Sequence, residues 1–130
     1  MAFEIPGRKI TRVCGASSLA TKKHMFVKLH TDGTAIITAA VTDRPYGLLQ
    51  NNPGVGQEAE IMRDGVSKCV AGAGGVAIGN LIGTANNGTG VPYAFGADTT
   101  KFIVGVALSD AAAGELFSLD FSCVSPPRGA

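Results

Sequence analysis

Apolar and polar positions alternate along His24-Met25-Phe26-Val27-Lys28-Leu29-His30: Met25, Val27 and Leu29 fall on one face, and Phe26 joins polar neighbours on the other. Successive strand side chains point to opposite sides, so this period of two predicts a half-buried strand. Asp32-Gly33 follows, and then Ala35-Ile36-Ile37-Thr38-Ala39. The pair predicts a hairpin, because glycine adopts the positive φ that tight turns demand. Residues 46–50, 57–62, 66–70, 80–84, 102–108 and 115–124 predict further strands. Turn chemistry separates them at Asn51-Asn52-Pro53-Gly54, Arg63-Asp64-Gly65, Asn86-Asn87-Gly88 and Ser109-Asp110. Only residues 17–23 and 110–113 offer a helical turn, and no segment carries a 3.6-residue apolar period over ten residues. The expected fold class is all-β.

The pattern occurs twice. Gly47-Leu48-Leu49, a turn through Asn52-Pro53, then Val55-Gly56-Gln57 and a strand ending at Ile61 are echoed 58 residues later. The echo is Gly105-Val106-Ala107, a turn through Asp110-Ala111, then Ala113-Gly114-Glu115 and a strand ending at Leu119. Upstream, Val27-Lys28-Leu29 before Asp32-Gly33-Thr34 matches Ile82-Gly83-Thr84 before Asn87-Gly88-Thr89 at an offset of 55. The change of offset places a small insertion in the second copy near residues 92–97. Two copies are too few for a solenoid. A pseudo-twofold β-barrel or β-sandwich fits better, since closure removes exposed strand edges. The expected organisation is an extended N-terminal arm over residues 1–20 and one β domain over 21–124. That domain is built of similar halves at about 21–70 and 76–124, with a flexible tail over 125–130.

Composition narrows the class further. The chain has 130 residues, of which 16% are charged, and Gly 18 with Pro 6 fall short of a disordered, low-complexity composition. No apolar run reaches the roughly 18–20 residues of a membrane-spanning helix, and the first residues show no secretory leader. Cys14, Cys69 and Cys123 form no CxxC pair, so packed free thiols in a reducing compartment are expected. The net charge of +1 conceals a split, with +5 on residues 1–30 and −4 on the rest. A basic arm on a mildly acidic body suits either an acidic partner surface or a solvated terminus. Ala is as frequent as Gly, at 18 each. Small side chains bury little area, at roughly 25 cal/mol per Å², which favours a subunit that gains area by association.

Candidate chemistry is sparse. Gly72-Ala73-Gly74-Gly75-Val76-Ala77 satisfies GxGxxA, but a dinucleotide site needs a helix N-terminus next, and Ile78-Gly79-Asn80-Leu81 predicts none. A flexible loop between the halves is expected there. His24 and His30 are six residues apart on one strand face, too far to share a zinc ion. No GxSxG elbow occurs, and no cysteine has a nearby histidine. Glu58 and Glu60 share a strand face, where a solvated surface is expected rather than an acid–base pair. Tyr46 and Tyr93 with no Trp leave no aromatic platform among basic residues, so no dedicated nucleic-acid binding is expected. No catalytic residue, cofactor or metal is assigned, and the chain is not expected to be an enzyme. A small carbohydrate- or ligand-binding β-barrel is the alternative class.

Met1-Ala2-Phe3-Glu4-Ile5-Pro6-Gly7, Lys28-Leu29 before Asp32-Gly33, Gly47-Leu48-Leu49-Gln50-Asn51-Asn52-Pro53, and Gly105-Val106-Ala107-Leu108 before Ala111-Ala112-Ala113-Gly114-Glu115 resemble the capsid decoration (cement) proteins of tailed bacteriophages. The resemblance implies a small β-tulip-like fold. It also implies a virion structural protein on the outer surface of an expanded head, assembled in the host cytoplasm. Such a protein acts as a homotrimer that bridges major capsid protein subunits and stabilises them, away from any membrane. The arm is then the capsid-facing element, with Phe3, Ile5 and Pro6 as apolar anchors and Arg8, Lys9 and Arg12 meeting acidic rims. Residues 93–100 and the tail depart from shorter members of that family.

Overall fold

A computed structural model describes residues 5–85, 87–94, 97–98 and 101–127. The described residues contain eleven strands and no helix. In chain order they are β1 (Ile5–Pro6), β2 (Lys9–Val13), β3 (Phe26–Leu29), β4 (Ala35–Ile37), β5 (Gly47–Leu49), β6 (Glu58–Met62), β7 (Asp64–Val70), β8 (Leu81–Thr84), β9 (Gly90–Pro92), β10 (Gly105–Ala107) and β11 (Leu116–Ser122). One antiparallel sheet has the order β2-β6-β5-β3-β4, and the other β1-β7-β11-β10-β8-β9. Without β1, the second order repeats the first strand for strand. The all-β expectation and the internal repeat therefore hold.

The two copies agree down to their hydrogen bonds. Asp32 Oδ1 accepts from the Thr34 N–H and hydroxyl at 3.0 and 2.6 Å, and Asn87 Oδ1 accepts the same pair from Thr89 at 3.3 and 2.6 Å. Each short polar side chain stands in for a backbone acceptor and tightens its turn, while Gly33 and Gly88 occupy φ of 83° and 82°. The Gly54 N–H donates to Gln57 Oε1, as the Ala112 N–H donates to Glu115 Oε1. Asp43 Oδ2 accepts from the Ala39 N–H, as Asp98 Oδ2 accepts from the Ala94 N–H. Gly47 and Gly105 open equivalent strands for a steric reason. A Cβ at either would press on a backbone carbonyl oxygen of the adjacent strand, that of Met62 or Asp120. The link between the third and fourth strands of each copy covers residues 38–46 in the first and 93–104 in the second, three residues longer.

Packing breaks the symmetry. Phe26, Leu48 and Met62 form a cross-strand row in the first sheet and are wholly buried. They join Ile82, Ala107, Phe117 and Leu119 of the second sheet in the main core. The reverse face of the first sheet carries Val27, Leu49, Ala59 and Ile61, which close with Cys14 and Leu19 into a second cluster. Leu19 is held there by its N–H donating to Pro53 O at 3.0 Å. At roughly 1.5–3 kcal/mol for each fully buried large apolar side chain, these clusters are the main source of cohesion.

Several expectations change. The sheets are open rather than barrels: among the described residues, the first and third strands of each copy approach at a single parallel bridge just past the first strand, Cys14 with Ala35 and Ala71 with Gly90. Residues 9–13 are a sheet strand pairing with β6, not part of a free arm, and Ile5–Pro6 extend the other sheet beside Gly65 and Val66. The division between copies falls between Met62 and Asp64 rather than at 70–76, because β7 pairs with β11. Arg63-Asp64-Gly65 is therefore a switch between sheets, not a hairpin turn. Residues 17–23 and 110–113 form turns without a helix, and β9 was not expected as a strand.

Candidate functional site

The N-terminal strip was the expected partner-binding element. The structure spreads its residues over the edges of both sheets. Ile5 is 59% exposed, the Pro6 backbone pairs with Gly65, and the exposed Arg8 donates its backbone N–H to Asp64 Oδ1 at 2.7 Å. Lys9 pairs with Glu60 at 3.0 Å, and Arg12 clasps the Gly33 carbonyl oxygen through Nε and Nη2 at 3.0 and 2.8 Å. Phe3 lies outside the described residues. The strip thus offers Ile5 and Arg8 outward, while Lys9 and Arg12 are engaged with the chain's own body.

The other candidates are placed as follows. His30 faces Asp32 at 3.2 Å on the surface, and His24 is buried, its backbone at φ 67° with its N–H donating to Leu49 O at 2.7 Å. Glu58 is exposed, and Glu60 is taken by Lys9. The three thiols are free and buried. Burial pushes Cys69 far up and Cys123 up to about 12, so neither offers a thiolate at neutral pH. The loop carrying GxGxxA is not a free linker between halves. It joins β7 to β8 within the second copy, and Val76 is bridged to Ala111 and 7% exposed. Gly74 and Gly75 take φ of 86° and 72° with no helix following. Among the described residues, no group of His, Cys, Asp and Glu is placed to hold a metal ion.

Among the described residues, two concave sites stand out, each of about 320 Å³. One runs beside the end strand β4, among His30, Asp32, Thr34 and Ile37. Asp32 there is held below its usual carboxylate value, first by the Thr34 hydroxyl and then by the Thr34 N–H, so its oxygen is already committed to the turn.

The other lies at the seam between the sheets, lined by Leu29, Arg44, Pro45, Tyr46, Arg63, Cys123 and Val124. Arg63 sits where the chain switches sheets. Its Nε donates to Tyr46 O at 3.0 Å and its Nη2 to Cys123 O at 3.1 Å, with the guanidinium 4.0 Å from the Tyr46 ring centroid. Arg44 lies over the Phe102 ring at 5.8 Å. Neither arginine was expected at a site, since they are 19 positions apart and Arg63 has the setting of a turn residue. A signal was present in the repeat: where the first copy has Tyr46 and Arg63, the second has Val104 and Phe121. Tyr46 and Val104 hold equivalent places, donating their N–H groups to Val27 O and Ile82 O.

No family model matches the chain, and no curated protein matches it. Among solved structures it is similar to the head fiber gp8.5 N base in bacteriophage phi29, at TM-score 0.65 and 19% identity, over 89% of this chain and 96% of that one. Fold and surface together define an all-β chain of two similar open sheets, rich in edges and seams. Its architecture is shared with nearly the whole of that phage head-fiber base.

Proposed function

We propose that this chain is a virion structural protein of a tailed bacteriophage. In this reading it is a decoration protein that binds the outer surface of an expanded head, bridges major capsid protein subunits and stabilises them as a homotrimer. The observation that carries the reading is the likeness in fold to 96% of a protein described as a phage head-fiber base. The shape of the chain is consistent with it. Apolar side chains at Ile5, Val13, Val55, Ile78, Val106 and Leu116 are 37–65% exposed, and contacts with neighbouring subunits would take that surface out of water. Many modest contacts, repeated over an icosahedral lattice and linked within a trimer, add to firm attachment by multivalency.

The strip of Ile5 and Arg8 is the capsid-facing element of this reading. Deleting it would remove the edge pairing of β1 and β2, so side-chain changes are the cleaner test. The double substitution Ile5→Ser and Arg8→Ser keeps the backbone N–H that Arg8 donates to Asp64. Co-sedimentation with expanded, DNA-free heads should fall about tenfold or more in affinity, in line with the loss of an apolar anchor and a charged contact. Unchanged co-sedimentation rejects the strip as the contact.

A further inference from the structure

We propose that the seam cleft is a binding site for an organic monocarboxylate. In this assignment the guanidinium groups of Arg44 and Arg63 hold the carboxylate, and Leu29, Pro45 and Val124 cover its apolar body. The cleft draws on both parts of the chain, with Cys123 and Val124 following the last strand and the other five residues from the first copy and its exit. Its volume of about 320 Å³ is at the lower end of that of small-molecule pockets, which also favour boundaries between structural units.

Charge accounting points to an anion. Arg63 is half-buried, and two of its five N–H groups are spent on the carbonyl oxygens of Tyr46 and Cys123. Those carbonyls orient the guanidinium without neutralising it. Among the described residues, no carboxylate lies within ion-pair distance of either arginine: Asp43 is paired with Lys28, and Asp64 accepts from the Arg8 N–H. A half-buried guanidinium without a counter-charge is costly unless something pairs with it. Here the group is also rigid, locked between two carbonyls and a tyrosine ring.

The choice of anion follows from the walls. Guanidinium forks bind carboxylate and phosphate alike in two-bonded arrangements, so the walls must discriminate. A phosphate, with more charge and more oxygens, calls for a nest of backbone N–H groups or hydroxyls. The lining supplies neither a serine nor a threonine, but it includes Leu29 and Val124, which are 41% and 48% exposed. The second copy reinforces the assignment. Its residues at the equivalents of Tyr46 and Arg63 are Val104 and Phe121, both absorbed into the main core. Shared architecture therefore does not require a guanidinium here.

The test is titration of the ¹⁵N-labelled full chain with benzoate, following the Arg side-chain Nε–H resonances. Benzamide, the neutral isostere, and inorganic phosphate are parallel arms. Benzoate should shift the Arg44 and Arg63 signals saturably, with phosphate at least about tenfold weaker and benzamide inert. Arg44→Gln should weaken benzoate about tenfold or more, the loss expected when a charged hydrogen-bond donor is removed, while leaving the unfolding midpoint unchanged. Arg63→Gln would disturb the join between sheets, so Val124→Asp is the second variant; its tethered carboxylate should block benzoate. The assignment is overturned by non-saturating shifts, by an equal response to benzamide or phosphate, or by full-strength benzoate binding in both variants.

Discussion

The two copies of the five-stranded unit share strand order, turn acceptors and glycine positions, yet they meet their surroundings differently. In the first, the row Phe26, Leu48 and Met62 is wholly buried. In the second, the corresponding row is Leu81, Val106 and Asp120: half-buried, 37% exposed and exposed. Turn chemistry and periodicity thus specify a topology that can be written twice. The identity of one face then decides which copy is covered by the other. All three positions differ, and the exchange of methionine for aspartate is the largest change of polarity between a face that meets the main core and one that meets water.

Exchanging those residues is the most severe way to break the comparison. Met62→Asp would bury a carboxylate with no partner in the main core and should cost more than about 4 kcal/mol, enough to unfold a domain of ordinary stability. The reciprocal Asp120→Met should stay within about 0.5 kcal/mol. Urea denaturation followed by circular dichroism reads both, and similar costs would show that the rows are not differently covered. Next in size, Phe26→Ala should lose about 3–5 kcal/mol by the same measurement, against about 1 kcal/mol for the half-buried Leu81→Ala.

The shared features should respond alike. Asp32→Ala and Asn87→Ala each remove an acceptor of two hydrogen bonds in matching turns, and each should lower the thermal midpoint by a similar amount. Interchanging the residues, Asp32→Asn with Asn87→Asp, should change the midpoint less than either single variant. A large asymmetry between the single variants would mean that the turns are not equivalent. The smallest effect concerns acid. Partial burial opposes ionisation of Asp43, but Lys28 at 2.9 Å and the N–H groups of Ala39 and Ala40 outweigh it and hold its carboxyl below the usual 3.8. The carboxyl is thus more acidic folded than unfolded, so its contribution is complete above the unfolded value and lost as pH falls through the folded one. Asp43→Asn should flatten the decline in stability below about pH 4, measured by urea titrations at pH 6 and pH 3. An unaltered slope would remove Asp43 from that role.

Much of this arrangement was legible in the residues themselves. Alternation around Val27 and the Asp32-Gly33 turn predicted the first hairpin, and the shifting offset located a longer link in the second copy. Other elements carried too little signal. Lys9–Val13 has no fully buried residue, so hydrophobic alternation had nothing to report. β9 is only Gly90, Val91 and Pro92, two of which disfavour strands. Arg63-Asp64-Gly65 has the composition of a turn but serves as the passage between sheets, a distinction that depends on which strands pair. The seam was hidden for the same reason, since Arg44, Arg63 and Val124 meet only once both sheets are in place. Aligning the copies exposes part of it, as Tyr46 against Val104 and Arg63 against Phe121.

The proposed role on a phage head is tested most directly by cryo-electron microscopy of expanded heads, assembled from the major capsid protein encoded in the same genome and incubated with the purified chain. The account predicts ordered density on the outer surface, three copies around each threefold position, fitted by the paired open sheets, with Ile5 and Arg8 against the capsid. Bare heads at saturating concentrations of the chain would contradict it.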